Sequence, residues 1–213
     1  ILTSAETDQS QYGIQTGNQG KNDDASALTI TISGNTVDVE DNAIWVNFHG
    51  DDGPEVEISG NTATATVPLR IQSMPQNTGR ITVSGGNVFT ADKLSSPCCG
   101  GNDSFGGRAL LVFNSDAPVE ITGNTIIATD GDGTANEGIG GIDLFNARVD
   151  LIDRVSFGTT EDPAVSVIDF NGASELGAFS GYDSSFDFSG VPGDVLFVDA
   201  TSSARVIEND LSG

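Results

Sequence analysis

The feature that most limits the fold is a phrase that returns at near-constant spacing. Thr31-Ile32-Ser33-Gly34-Asn35-Thr36 recurs as Glu57-Ile58-Ser59-Gly60-Asn61-Thr62, then as Thr82-Val83-Ser84-Gly85-Gly86-Asn87 and Glu120-Ile121-Thr122-Gly123-Asn124-Thr125. Its apolar residue steps from 32 to 58 to 83 to 121, spacings of 26, 25 and 38. The long third step contains residues 93–107 (KLSSPCCGGNDSFGG), whose Gly, Ser and Pro mark an inserted loop. Without roughly a dozen of those residues the period returns to about 26. A fixed period of this length belongs to chains that stack equivalent units, each covering the apolar face of the next.

A second segment type lies between these phrases: AIWVNF at 43–48, PLRIQ at 68–72, ALLVFN at 109–114, GIDLFN at 141–146, SVIDFN at 166–171 and VLFVD at 195–199. Each unit reads as an alternating strand, a Gly-Asn corner, a short strand such as 36–39, a polar turn, and a β-branched or aromatic strand. No amphipathic helix interrupts the pattern. The expected fold is therefore all-β, a single-stranded parallel β-solenoid of about six to seven turns of roughly 26 residues with one inserted loop. One domain spans 1–213, with regular turns over 12–147, the inserted loop at 93–107 and less regular C-terminal turns over 148–213, where aromatic residues increase. Stacking places Ile32, Ile58, Val83 and Ile121 in one internal row and Phe113, Phe145 and Phe170 in another stack. Asn35, Asn61, Asn87 and Asn124 form a structural ladder of side-chain amides bonded from turn to turn. A β-sandwich also has frequent strands, but it does not require the same corner residues at this period.

Composition narrows the partners. Eight Lys+Arg stand against 31 Asp+Glu, a formal net charge of −23, which argues against a nucleic acid ligand. With 37% hydrophobic residues the chain is too apolar for an acidic disordered tail, and no apolar run reaches the 18 or so residues of a membrane span. Residues 1–11 lack a basic stretch followed by an apolar core, so no export signal is expected there.

The ISGNT phrase, the V-x-V strand after it and the A-I-W-V strand resemble the right-handed parallel β-helix of the pectin-lyase-like superfamily, and most closely the passenger regions of bacterial autotransporters and related surface proteins. The likeness covers about residues 12–147. It implies a right-handed coil, and a function drawn from lyases, hydrolases, tailspikes, adhesins and stalks. Lyases of this kind hold calcium in a carboxylate cluster and abstract a proton with Arg or Lys. On that pattern Arg70 and Arg108, in the second segment type on neighbouring turns, share a face. Asp143, Asp169 and Asp199 offer a carboxylate row, yet aligning Phe145-Asn146 with Phe170-Asn171 points Asp143 and Asp169 to opposite faces.

Other residues carry weaker chemistry. Asp130-Gly131-Asp132-Gly133-Thr134-Ala135-Asn136-Glu137 places hard oxygen ligands at alternate positions, so Asp130, Asp132, Thr134, Asn136 and Glu137 are the candidate calcium ligands and calcium the one expected cofactor. His49, the sole histidine, reads as a surface residue at a strand end. Cys98 and Cys99 are adjacent in the inserted loop, and either form a vicinal disulfide, link to another chain or stay as thiols. Trp45 and Phe48 read as core, whereas an exposed Trp45 favours carbohydrate contact. Thr62-Ala63-Thr64-Ala65-Thr66 has the form that ice-binding solenoids repeat. It reads as confined to one turn, with Val37 and Val39, or Ile126 and Ile127, at the corresponding places, so a regular threonine array is missing and ice binding is not expected.

Tyr12-Gly13-Ile14-Gln15-Thr16 matches the second segment type, so the sequence enters midway through a turn, and neither end offers an amphipathic cap. Self-association through open ends, or continuation in a longer chain, is expected. The functional expectation is a non-enzymatic extracellular or cell-surface solenoid, an adhesin, passenger or stalk segment, able to stack end to end into a filament, with a surface glycan as a further partner. The alternative is a polysaccharide lyase or glycoside hydrolase of the β-helix type, calcium dependent.

Overall fold

A computed structural model of the chain describes residues 2–3, 12–18, 27–49, 52–74, 79–92, 108–128, 140–153, 156–159, 166–171, 175–180, 194–198 and 203–207. Two strands lead in, β1 (Leu2–Thr3) and β2 (Ile14–Asn18). Three strands then make each turn. They are β3 (Thr29–Ser33), β4 (Thr36–Asp38) and β5 (Asn42–Phe48), then β6 (Glu55–Ser59), β7 (Thr62–Ala65) and β8 (Val67–Gln72), then β9 (Ile81–Ser84), β10 (Val88–Ala91) and β11 (Arg108–Ser115). The next level has β12 (Val119–Thr122), β13 (Thr125–Ala128) and the long β14 (Gly140–Asp153), followed by β15 (Ser156–Thr159), β16 (Ser166–Asn171), β17 (Glu175–Ser180), β18 (Asp194–Val198) and β19 (Ser203–Ile207).

Every described strand pair is parallel and joins equivalent strands of neighbouring levels, so the described residues form an all-β parallel β-solenoid without a helix. Three faces result. The first runs β3, β6, β9, β12, the second β4, β7, β10, β13, β15, and the third β2, β5, β8, β11, β14, β16. About three turns are described as coil, fewer than the six to seven that dividing the sequence by its period implies. The division counts strand-like phrases, whereas a turn also needs its corners, and after β13 several connections lie outside the described residues. The strands there still pair in parallel, with a register shift between Leu176 and Phe179 on β17.

The core follows from alternation, which sends every second side chain inward. On the first face Ile32, Ile58, Val83, Ile121 and Ile152 are successive register partners and all buried. On the second, Val37, Ala63, Phe89 and Ile126 stack, the small Ala63 lying one level from Phe89, a large fully buried side chain. The third contributes Ile44, Leu69, Leu110 and Ile142, with Val46, Ile71, Val112 and Leu144 beside them. Phe113 and Phe145 are register partners, with rings 5.4 Å apart, but Phe170 does not continue that stack. It pairs with Leu144, and Asn171 with Phe145, one residue away from the expected alignment. Ile142 is in register with Ile168 and Leu144 with Phe170, so the apolar positions of the two strands coincide.

Two corners use left-handed backbone. Between first and second faces Gly34, Gly60, Gly85 and Gly123 have φ of 67°, 61°, 73° and 63°, which glycine adopts without steric cost. Between third and first faces Asn114 and Asn146 have φ of 48° and 47°, and Asn146 Nδ2 donates to Asn114 Oδ1 at 3.1 Å.

Beside the glycine corner stand Asn35, Asn61, Asn87 and Asn124. Asn61 Oδ1 accepts from the backbone N–H and Nδ2 of Asn35 at 3.0 and 2.9 Å, and Asn87 Oδ1 accepts the same pair from Asn61 at 3.0 and 3.0 Å. Asn87 Nδ2 donates to Asn124 Oδ1 at 2.7 Å. The amides of Asn61, Asn87 and Asn124 also donate to the carbonyls of Ile32, Ile58 and Val83, residues of the inner row one level away. Replacing Asn87 with Ala therefore strands the Asn61 N–H and the Ile58 carbonyl inside the coil, an expected loss of about 2–4 kcal/mol in urea unfolding. The same change at the less buried Asn35 costs about 1 kcal/mol or less.

Candidate functional site

The three outward surfaces carry different chemistry. The first face presents Thr31, Glu57, Thr82 and Glu120 in one register column, with Arg80 Nη1 3.4 Å from the Glu120 carboxylate, a charged surface in contact with water. The second presents Thr36, Thr62, Val88 and Thr125 in one column and Asp38, Thr64, Thr90 and Ile127 in the next. Val37 and Ile126 are inner residues, so the threonines are not confined to one turn as the sequence spacing suggested. Residues two apart in a strand share a face, and the register of β4, β7, β10 and β13 shifts the alignment by one residue.

The third face is the most elaborate. Its two outward columns run Gln15, Trp45, Arg70, Leu111, Asp143 and Gly17, Asn47, Gln72, Phe113, Phe145. Trp45 is half-buried on this face, while its neighbour Phe48 is buried in the core. The pair is thus split: Phe48 shares the parity of Ile44 and Val46, and Trp45 does not. The Arg70 guanidinium lies over the Trp45 ring, 5.1 Å from its centroid, and the centroid of the exposed Tyr12 ring lies 5.2 Å from that of Trp45, the two rings tilted by 38°. Aromatic faces attract a guanidinium through their quadrupole and hold it in a defined plane.

Two levels on, Arg108 Nε donates to Asp143 Oδ2 at 2.9 Å, with the side chains 19% and 7% exposed. Leu111 and Ala43 are also buried although they occupy outward positions, so this surface is not bare along its whole length. Asp143 and Asp169 are register partners, which corrects the expectation that they point to opposite faces: the two positions share one face. Arg70 is in register with Leu111, and Arg108 with Gly140.

Near Trp45 the polar groups are incompletely paired. Trp45 Nε1, Asn47 Oδ1 and Gln72 Oε1 are buried atoms with no hydrogen-bond partner among the described residues. Interiors tolerate few such atoms, each costing about 1–3 kcal/mol, and these three stand together on two adjacent strands.

His49 follows β5 and is exposed. The calcium candidates Asp130, Asp132, Thr134, Asn136 and Glu137 lie outside the described residues, as do Cys98 and Cys99. Among the described residues no group of three or more His, Cys, Asp or Glu converges on a metal position, and no helix is long and apolar enough to cross a membrane. Sequence reasoning missed Tyr12, Asn47 and Gln72. The available signal was parity, counted outward from Ile44 and Leu69.

Removing the Asp143 carboxylate alone leaves the Arg108 cation in a largely desolvated position. Asp143→Ala is expected to cost about 2–3 kcal/mol in urea unfolding, less than a fully buried pair because Arg108 keeps some solvent. The double change Arg108→Met with Asp143→Leu recovers most of that loss, since no buried charge remains. Comparison with known proteins returns no match to a family model, a curated protein or a solved structure, and so lends no support to a pectin-lyase-like or autotransporter assignment.

Proposed function

We propose that the chain is a non-enzymatic extracellular β-solenoid, an adhesive or stalk segment of a surface protein, whose third face binds a glycan. The partly exposed Trp45, with Tyr12 and Arg70 as neighbours, carries this reading. A sugar ring offers a face of C–H groups that packs on an aromatic plane and a rim of hydroxyls that needs fixed donors and acceptors. Trp45 and Tyr12 supply the plane, and Trp45 Nε1, Asn47 Oδ1 and Gln72 Oε1 are the polar atoms lacking partners beside it. Arg70 adds a planar donor fork from the adjacent strand.

Two features favour binding over cleavage. Arg70 is held over the Trp45 ring and Arg108 is engaged by the Asp143 carboxylate, so both guanidinium groups already serve contacts within the face rather than standing over an open groove as a proton-abstracting base. The chain's formal charge of −23 also opposes the approach of polyanionic substrates.

Trp45 is the single tryptophan, so its emission reports on the site directly. Titration with a panel of neutral and uronate oligosaccharides is expected to give a saturable emission change with at least one member, and no shortening of any oligosaccharide. Trp45→Ala abolishes binding measured by calorimetry while the far-ultraviolet circular dichroism keeps its β signature. Binding that survives Trp45→Ala, or glycan cleavage that Arg70→Ala removes, would overturn the reading.

A further inference from the structure

The second face carries a feature that glycan binding does not use. Of its eight outward positions on four successive levels, five are threonine (36, 62, 64, 90 and 125), two are Val88 and Ile127, and only Asp38 is charged. All eight are exposed or partly exposed. The first face alternates threonine with glutamate, so strand preference for threonine alone does not account for a surface left almost uncharged in a chain of net charge −23.

The array is also stiff and evenly spaced. Seven of its eight side chains are β-branched, with restricted rotation about the first side-chain bond. Parallel strands set one repeat of about 4.8 Å along the coil, and alternate residues set another of about 6.6 Å across it. The asparagine ladder stands immediately before the first column and locks its spacing. The backbone N–H groups of Thr62, Val88 and Thr125 donate to the carbonyls of Asn35, Asn61 and Asn87, at 2.8 Å on all three levels. Val37, Ala63, Phe89 and Ile126 pack the sheet from beneath.

From this placement we infer that the second face binds the surface of ice. A single small ligand has no use for a repeated neutral array, and a charged polymer would need charges that are missing here. A periodic solid does match a periodic surface. Each threonine offers a hydroxyl that donates and accepts, and a methyl group around which water orders. A nearly neutral face also suits a neutral partner, since Asp38 at its first level is the one ionic group among the eight positions to be desolvated on contact. Crystalline polysaccharide is the other neutral periodic partner, but aromatic platforms grip sugar rings, and the second face has no aromatic residue among its eight described outward positions.

The test uses the full chain in a nanolitre osmometer, together with adsorption of fluorescently labelled protein to a growing ice hemisphere. The wild-type protein is expected to shape ice crystals, give measurable thermal hysteresis and coat the hemisphere. Thr64→Tyr, which raises a bulky ring above the plane, is expected to abolish hysteresis and adsorption while retaining the unfolding midpoint. Should that variant fold poorly, Thr90→Lys, also on the outer side, serves instead. Glu57→Lys on the first face and Trp45→Ala on the third are expected to retain the wild-type effect, which separates this face from the glycan site. Absence of ice shaping by the wild-type protein overturns the inference. So does hysteresis unchanged in a folded Thr64→Tyr or Thr90→Lys protein, or retention on crystalline cellulose or chitin without adsorption to ice.

Discussion

The asparagine ladder is the interaction on which the rest of the structure depends. A parallel sheet with one residue per level in each column can slip, and a slip of one residue exchanges inner and outer side chains along a whole strand. Asn61 and Asn87 oppose this in two ways. Each accepts the backbone and side-chain N–H of the asparagine one level away, and each donates to the carbonyl of an inner-row residue. A shifted level would lose these bonds together, within a coil whose interior supplies no water to replace them. The positive-φ glycines next to the ladder let the chain turn sharply enough to bring the asparagines inside.

With register held, the interior repeats while the outside is free to differ. Ile32 through Ile152 form one uniform aliphatic row, yet the surfaces are charged on one side, threonine-rich on another, and aromatic and amide-bearing on the third. An outward side chain touches mainly neighbours in its own column, so a change there hardly disturbs the core. The Trp45 and Arg70 contact and the Arg108 and Asp143 pair show the consequence: each is a local arrangement between strands of the same face. Trp45 Nε1, Asn47 Oδ1 and Gln72 Oε1 are buried polar atoms without a partner among the described residues, as Asn42 Oδ1 and Ser115 Oγ also are elsewhere on the third face.

Much of the fold was legible because its determinants are local and repeated. The Gly-Asn corner, the apolar residue three or four before each ladder asparagine and the spacing of about 26 are all visible in the chain, and stacking follows from them. The outward surfaces were harder to read. Aligning units on Phe-Asn placed Phe170 under Phe145 and turned Asp169 away from Asp143, because a corner motif was weighted above the inner row. Similarly, Thr62 and Thr64 seemed isolated beside Val37 and Ile126, although their register partners are Thr36, Val88, Asp38 and Thr90. The turn count failed for a related reason: strand-like phrases do not reveal where corners close.

The sequence by itself determined the period, the corner chemistry, the absence of helices from the repeat and the residues available to the core. Those properties depend on backbone preference and on which side chains avoid water, and both act within a few residues. Only the tertiary structure decided which outward residues share a surface: Tyr12 with Trp45 and Arg70, Arg108 with Asp143, and the threonines with one another. That outcome turns on a shift of a single residue between levels about 26 positions apart. The energy favouring one register comes from contacts between levels, summed over the buried rows and the ladder, and no short stretch of sequence contains it.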